Sequence, residues 1–439
     1  MTAAQKYYAN SNNPISYRSH DYEIAAQYRA LPPALQERFD VSITGIDPTD
    51  ASTIAKDMDN RLRAHPGVFM AVGETTLIKE IISDKNPHRP VINSKATQTL
   101  LMSATARGLP VILHCDRGVP GNKDKNAELV LKEINKWIDK AEWSGSDPLK
   151  GKPGLENVPQ MKPKIVWAHG AGISRFTAES KDHTRKLDTM LSDDKLKDAL
   201  SIDLSWDFVG HDMMENMHDQ LKRAGVAPGI QQGLQNSLKL YKAFTEAGNA
   251  SDKADDLGDL NLAAVHRQSA EGIAEKYFAS LADFKVRVTA AFNDPATVTA
   301  FQRFTTDHGN QGNNWFHIFS KHQDRMLFGT DALSVGTKAH GDASYAMNTR
   351  VLYPVYEMFE QLAARTGDAA LKDISQKVRT GNYDKVFHDP EVKLRRDAYE
   401  TMLLSERPAD HSTNARPQDF VETPEQADLR RRNGFVAES

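Results

Sequence analysis

The chain has a single cysteine, Cys115, among its 439 residues. This excludes an intrachain disulfide and any zinc site built from cysteine pairs. Cys115 follows a short apolar run, which favours buried packing over a role as nucleophile. The 55 basic and 59 acidic residues are interspersed and leave a formal net charge of -4. No basic face therefore indicates nucleic acid, and no acidic excess indicates disorder.

Long apolar runs and nucleotide-binding motifs are also missing. No stretch approaches the roughly 20 apolar residues needed to cross a bilayer, so we expect no membrane span. The sequence contains no Walker phosphate loop, no dinucleotide-type glycine motif after a strand and no Gly-x-Ser-x-Gly elbow. Residues 1–8 lack the charged-then-apolar order of a secretory signal, which favours the cytoplasm. A periplasmic or secreted protein stays open if a signal preceded Met1.

The chain does contain a repeated pattern in which a short apolar run ends on a side chain that can bind a metal. Three such runs end at His114, His169 and Asp331. Because the active sites of (β/α) barrels lie at the carboxyl ends of their strands, this pattern is typical of a parallel barrel. Imidazole and carboxylate are common zinc ligands, so we expect the three groups to meet around one cation. Asp331 could in addition accept the proton of an attacking water.

Other residues near the predicted strand ends are weaker candidates. Glu74 could bridge to the metal or orient a ligand histidine, or it could be a surface residue. Trp206 and Asp207 could form an aromatic wall and a polar contact for substrate, although a rim tryptophan also packs against inserted helices. Lys79 could contact substrate, but a solvated pair with Glu80 is the alternative. Five histidines of the helical region lack metal-ligand spacing and are expected on the surface or in a lid: His211, His218, His308, His317 and His322.

Strands alternate with helices along the chain, which favours an α/β fold with a parallel sheet. Six strands are recognisable, and they end near Asp47, Glu74, His114, His169, Trp206 and Asp331. A closed (β/α)8 barrel needs eight strands, so we predict a TIM-type barrel that is incomplete. We assign residues 1–389 to the barrel, with 208–322 as a helical insertion before the last strand. We expect residues 390–439 to form a charged C-terminal helix and tail.

These features resemble the amidohydrolase 2 branch of the metal-dependent hydrolase superfamily. The resemblance runs through most of residues 39–387 and is carried by segments 43–50, 66–74, 110–114, 165–169, 203–207, 327–331 and 381–383. It implies a distorted (β/α)8 barrel that binds one or two divalent ions, zinc first, with manganese or iron as alternatives. The implied reaction is hydrolysis of an amide, ester or lactone of a small molecule, while some members decarboxylate aromatic acids instead.

The same resemblance assigns roles to individual residues. His114 and His169 correspond to the ligands of the fifth and sixth strands. Asp331 corresponds to the eighth-strand ligand and general base, and Glu74 to a bridging acid on the fourth strand.

The chain departs from this family at its N-terminus. The first strand of the family ends in a His-x-His pair that binds the metal, and no His-x-His occurs in this sequence. If the chain begins after the first two strands of the family, both the missing His-x-His pair and the count of six strands are explained. Either the start was assigned too late, which we favour, or the barrel has lost the strands. In the second case the alternative is a catalytically silent barrel that binds a ligand or partner through its insertion. The substrate and the oligomeric state stay open, and a homo-oligomer fits.

Overall fold

The structure, a computed structural model, shows helices alternating with parallel strands over the residues it describes. Those residues are 15–78, 90–117, 125–138, 149, 152, 156–159, 161–173, 183–205, 207–306, 314–329 and 353–406. Over these ranges it confirms the predicted α/β class and the six parallel strands.

The strands form one sheet in which every pair of neighbours is parallel and follows sequence order. They are β1 (Val41–Ile43), β2 (Phe69–Ile78), β3 (Val111–Cys115), β4 (Ile165–Trp167), β5 (Leu200–Asp203) and β6 (Met326–Leu327). Parallel strands are joined by crossovers that are nearly always right-handed, so sequential order places successive helices on the same side of the sheet. This is the winding of (β/α) barrels, and it differs from the reversing strand order of doubly wound sheets.

Helices connect and cover these strands. They are α1 (Ile15–Ala30), α2 (Pro33–Gln36), α3 (Ile54–Ala64), α4 (Lys95–Ala106), α5 (Lys125–Ile138), α6 (His183–Leu191), α7 (Asp207–Ala224), α8 (Pro228–Asp256), α9 (Leu260–Ala291), α10 (Pro295–Thr306), α11 (Trp315–His322), α12 (Tyr353–Thr366), α13 (Ile374–Gln376), α14 (Asn382–Phe387) and α15 (Pro390–Ser405). A π-helical turn, Lys377–Gly381, joins α13 to α14. A bilayer-crossing helix, which would have to be both long and apolar, is not found among them.

Several predicted boundaries shift for local reasons. β2 continues past Glu74 because the β-branched pair Thr75 and Thr76 extends the strand to Ile78. α3 begins only at Ile54, since the Asp50 carboxylate accepts a hydrogen bond from the Ser52 amide and residues 51–53 form a turn first.

The described chain between β5 and β6 forms the helices α7 to α11 with short turns between them. α8 and α9 form a long antiparallel hairpin. Inside it the buried Ser237 hydroxyl lies 2.9 Å from the Ser280 hydroxyl. At its base Arg287 donates to the Gly229 carbonyl at 3.3 Å.

His322, expected on the surface or in a lid, is buried, and that expectation is wrong. Its Nε2 lies 2.7 Å from a carboxylate oxygen of Asp188, which also accepts from Lys321 at 2.7 Å. Burial acts to raise the pKa of Asp188, but these two hydrogen bonds and the nearby positive charges lower it to about 2. The contact docks α11 on α6 and therefore gives His322 a structural role.

The two faces of the sheet have different cores. The main core packs one face against the connecting helices. On the other face a smaller cluster joins alternate strands to α14, and its buried members are Ala71, Val166, Leu327, Val386 and Phe387. Asn382, at the start of α14, donates to the Met326 carbonyl at 2.7 Å, which fixes α14 against β6. Tyr383 donates to Asp40, just before β1, at 2.7 Å. α14 therefore contacts β6 at one edge of the sheet and Asp40, the residue before β1, at the other.

Candidate metal centre

Three side chains from adjacent strands meet at the carboxyl end of the sheet. Glu74 Oε1 lies 2.5 Å from His114 Nδ1, and His114 Nδ1 lies 2.9 Å from His169 Nε2. His169 Nε2 lies 3.5 Å from Glu74 Oε2. Their ligand-type atoms all fall within 4.8 Å of one another, a spacing that could hold a metal ion. We call this group the triad.

The other predicted site residues cannot be placed. Asp331, Lys79 and Trp206 lie outside the described residues. Asp207 is the first residue of α7, but its side chain is also outside the described part. The general base and the substrate contacts assigned to these residues therefore stay predictions.

Glu74 enters the triad from within β2 rather than from its end. The peptide bond before it, between Gly73 and Glu74, is cis. A side chain at Gly73 would be strained and blocked, because φ there is +130° and a Cβ would come within 2.4 Å of the Ile112 carbonyl oxygen. Glycine thus lets β2 approach β3 closely at the point where Glu74 meets His114.

His169 lies in a left-handed turn, two residues beyond the end of β4. Residues 168–172 contain a run of positive φ values, including 59° at His169 and 65° at Ala171. A left-handed conformation costs about 1–2 kcal/mol for a residue with a side chain. Strained backbone of this kind clusters at functional sites, where the surrounding structure enforces it. Gly170 and Gly172 were the available signal for this turn in the sequence.

Two hydrogen bonds hold the turn against β3. The indole of Trp167 donates to the Cys115 carbonyl at 2.8 Å, and the Arg117 amide donates to the Gly172 carbonyl at 3.0 Å. Gly172 lies so close to β3 that a Cβ would come within 2.2 Å of the Cys115 oxygen. These contacts fix the position of His169 relative to His114. Cys115 is buried, as expected for packing.

Polar side chains also lie beside the outer nitrogens of both imidazoles, as an ion-pair contact at His114 and as a hydrogen bond at His169. His114 Nε2 lies 3.2 Å from Asp116 Oδ1. His169 Nδ1 lies 3.2 Å from the Ser205 hydroxyl, which itself donates to Asp203. We did not single out Asp116, Asp203 or Ser205 from the sequence, although His-x-Asp and Asp-x-Ser at strand ends were visible there.

Electrostatics couple Glu74 to His114. Burial acts to raise the pKa of Glu74, but the charge and hydrogen bond of His114, supported by His169, hold that pKa well below its usual range. Burial acts to lower the pKa of His114, but the Glu74 carboxylate, together with Asp116, raises it to about 9. Glu74 is therefore ionised at neutral pH, and its negative charge attracts a cation or a proton to this point.

The donor set fits a divalent cation. Zinc bonds of about 2.0–2.2 Å in a tetrahedron place ligand atoms about 3.3 Å apart. Two of the triad separations, 2.9 and 3.5 Å, lie near that value, whereas the hydrogen bond of 2.5 Å between Glu74 and His114 would open to admit the ion. His114 and His169 are 1% and 2% exposed, whereas a third of the Glu74 side chain is accessible. The triad is thus closed on the imidazole side and open beside Glu74.

Comparisons of the chain with protein-family models, with curated proteins and with solved structures found no match. The chemistry of the site therefore has to be argued from its own residues.

The close approach of Gly172 to β3 predicts a large effect of an added methyl group. Gly172→Ala should lower the free energy of unfolding by at least about 2 kcal/mol more than Gly225→Ala. Both residues have positive φ, 77° and 67°, so both variants carry the left-handed strain of about 1–2 kcal/mol. Only Gly172 adds overpacking against Cys115, since nothing lies within 4 Å of a Cβ at Gly225. Chemical denaturation followed by circular dichroism measures the difference. Equal losses would show that the turn does not press against β3.

Proposed function

We propose that this protein is a metal-dependent hydrolase of the amidohydrolase type, in which a metal-activated water attacks an amide, ester or lactone. The observation that carries the proposal is the triad, in which two buried imidazoles and an ionised carboxylate face one point. The strand-end resemblance of the sequence to the amidohydrolase 2 family supports the same reading. Zinc is our first assignment, and manganese or iron are compatible with the same donors.

We further propose that the sheet is an incomplete TIM-type barrel. Its sequential parallel order and the shared cluster under β2, β4 and β6 support this. The chain after the last strand also supports it, because the Phe328 amide donates to the Val378 carbonyl while Tyr383 reaches Asp40 beside β1. In this proposal the segment from α13 to α14 occupies the side of the barrel where two strands are missing.

The residues for the metal are Glu74, His114 and His169. Catalytic zinc sites hold three protein ligands and keep one position open, and two histidines with one glutamate are an established combination. The triad therefore needs no His-x-His pair to complete a catalytic ligand set. A divalent ion bound there would supply a water of pKa near 7 and would polarise a carbonyl group.

Asp331 is our proposal for the general base. With three ligands already in the triad, Asp331 is available to accept the proton of the attacking water. The described range 314–329 ends at Gly329, two residues before Asp331. A Cβ at Gly329 would come within 2.3 Å of Asp203 Oδ1 and 2.9 Å of Ser205 Cβ. Ser205 contacts His169, so the chain that carries Asp331 passes the partners of the triad.

The substrate is proposed to be a small molecule that enters beside Glu74, the exposed member of the triad. Trp206, Asp207 and Lys79 stay our candidates for its contacts. Non-oxidative decarboxylation on the same metal and a catalytically silent barrel are the competing functions.

The metal site predicts stoichiometric zinc binding that depends on His169. The wild-type chain should bind one equivalent of zinc. His169→Asn should weaken that affinity by more than about 100-fold, since even loss of an outer partner costs 10–100-fold. Calorimetry and native mass spectrometry measure both. His388→Asn is the matched control, because His388 is 44% exposed and pairs with Asp40 near the amino end of β1. A wild-type chain without stoichiometric zinc, manganese or iron would contradict the proposed site.

The proposed base predicts a loss of turnover without a loss of metal. Asp331→Asn should lower kcat by about 10²–10⁴-fold, the usual contribution of a general base, and should keep the zinc. The assay is hydrolysis by the zinc-loaded chain over a panel of amides, esters and lactones. Asp324→Asn, at a side chain that is 59% exposed, is the control.

The same panel separates the competing functions. Carbon dioxide release from aromatic acids without hydrolysis would favour the decarboxylase. Metal binding without turnover of either class, or turnover that survives both Asp331→Asn and His169→Asn, would contradict the hydrolase.

A further inference from the structure

We propose that Asp116 and the Ser205–Asp203 pair are positioning residues that select which ring nitrogen of each histidine faces the metal. The inference rests on the proposed metal site and adds to it the groups that set its ligand geometry. The two histidines use different nitrogens: Nδ1 of His114 and Nε2 of His169 face Glu74. We assign that choice to the polar side chains behind each ring, Ser205 at His169 and Asp116 at His114.

The hydroxyl of Ser205 decides the tautomer of His169. A serine hydroxyl has a single hydrogen, and here it is donated to Asp203 Oδ2. The contact of 3.2 Å between Ser205 Oγ and His169 Nδ1 must then be donated by the ring N–H. With the hydrogen on Nδ1, the lone pair of the neutral ring lies on Nε2, which faces the triad.

Asp116 acts on His114 without an intervening hydroxyl, because its carboxylate lies beside the ring itself. Asp116 Oδ1 lies 3.2 Å from His114 Nε2 as an ion-pair contact without hydrogen-bond geometry, and its charge acts on the ring to favour a hydrogen on that nitrogen. A cation at the triad would displace the proton that Nδ1 shares with Glu74, and Nδ1 would then be the nitrogen that binds it. The Asp116 amide donates to the Ile78 carbonyl at 3.0 Å, which anchors Asp116 between β3 and the end of β2.

Burial makes these contacts hard to replace. Asp116 is fully buried and Ser205 is 5% exposed, so bulk water does not reach either ring from behind. Metal-binding histidines generally donate their second N–H to a carboxylate or similar acceptor, and loss of that acceptor costs 10–100-fold in metal affinity. Here a carboxylate lies beside the second nitrogen of His114, and a hydroxyl backed by a carboxylate accepts from the second nitrogen of His169.

The test compares zinc affinity in two variants and two controls. Ser205→Ala and Asp116→Asn should each weaken zinc binding by about 10–100-fold, measured against a competing chelator. Each should also shift the visible absorption bands of the cobalt-loaded chain. Ser237→Ala and Asp59→Asn should leave both readouts unchanged. Ser237 is a buried serine within the α8–α9 hairpin, and Asp59 is a carboxylate paired with Arg107.

A second measurement reads the tautomer without metal. Nitrogen NMR of the full chain labelled at histidine, with His169 assigned from His169→Asn, should show the hydrogen on Nδ1 and none on Nε2. Ser205→Ala should remove that preference.

The outcomes separate this inference from the proposed function. A wild-type His169 that carries its hydrogen on Nε2, or variants whose affinities stay within about twofold of wild type, would overturn the positioning role. A wild-type chain that binds neither zinc nor cobalt would overturn the metal site. In that case, or if a variant does not fold, the nitrogen shifts of the wild-type chain still decide the tautomer.

Discussion

Two buried imidazoles and one carboxylate turn toward the same point, and that arrangement is costly unless positive charge lies among them. Glu74 and His114 reduce this cost in part by forming an ion pair. The pairing lowers the pKa of Glu74 and raises the pKa of His114. A divalent cation would reduce this cost for all three groups. The local features of the sheet serve this juxtaposition: Gly73 permits the close approach of β2, and the left-handed turn at His169 is held against β3.

The triad forms within the six described strands because its residues come from strands that are neighbours in the sheet. β2 and β3 supply Glu74 and His114, the turn after β4 supplies His169, and β5 leads to Ser205. These are four consecutive neighbours in the sheet. A site built from them does not require the strands that carry the His-x-His pair in the resembling family.

The sequence predicted those features that apolar periodicity and the residues at strand ends indicate, namely the fold class and two of the triad residues. Apolar runs that stop at His114 and His169 identified two triad residues and the parallel α/β class. Glu74 was only a weak candidate, since we placed it at the end of its strand, where a surface glutamate was an equally good interpretation, whereas the strand continues to Ile78. Asp116 and Ser205 went unnoticed, because a polar residue two positions past a histidine or aspartate is indistinguishable from ordinary loop sequence until the fold brings it behind a ring. Gly170 and Gly172 signal a turn after β4, but the tertiary contacts that hold this turn against β3 are not encoded in any local pattern.

X-ray absorption at the zinc edge of the zinc-loaded chain tests the central claim most directly. The account predicts scattering from two imidazoles with zinc–nitrogen distances of about 2.0–2.1 Å, together with oxygen ligands at about 2.0–2.2 Å. His114→Asn or His169→Asn should each remove one imidazole from that pattern. A spectrum without imidazole scattering, or one unchanged by both substitutions, would contradict a metal centre built on Glu74, His114 and His169.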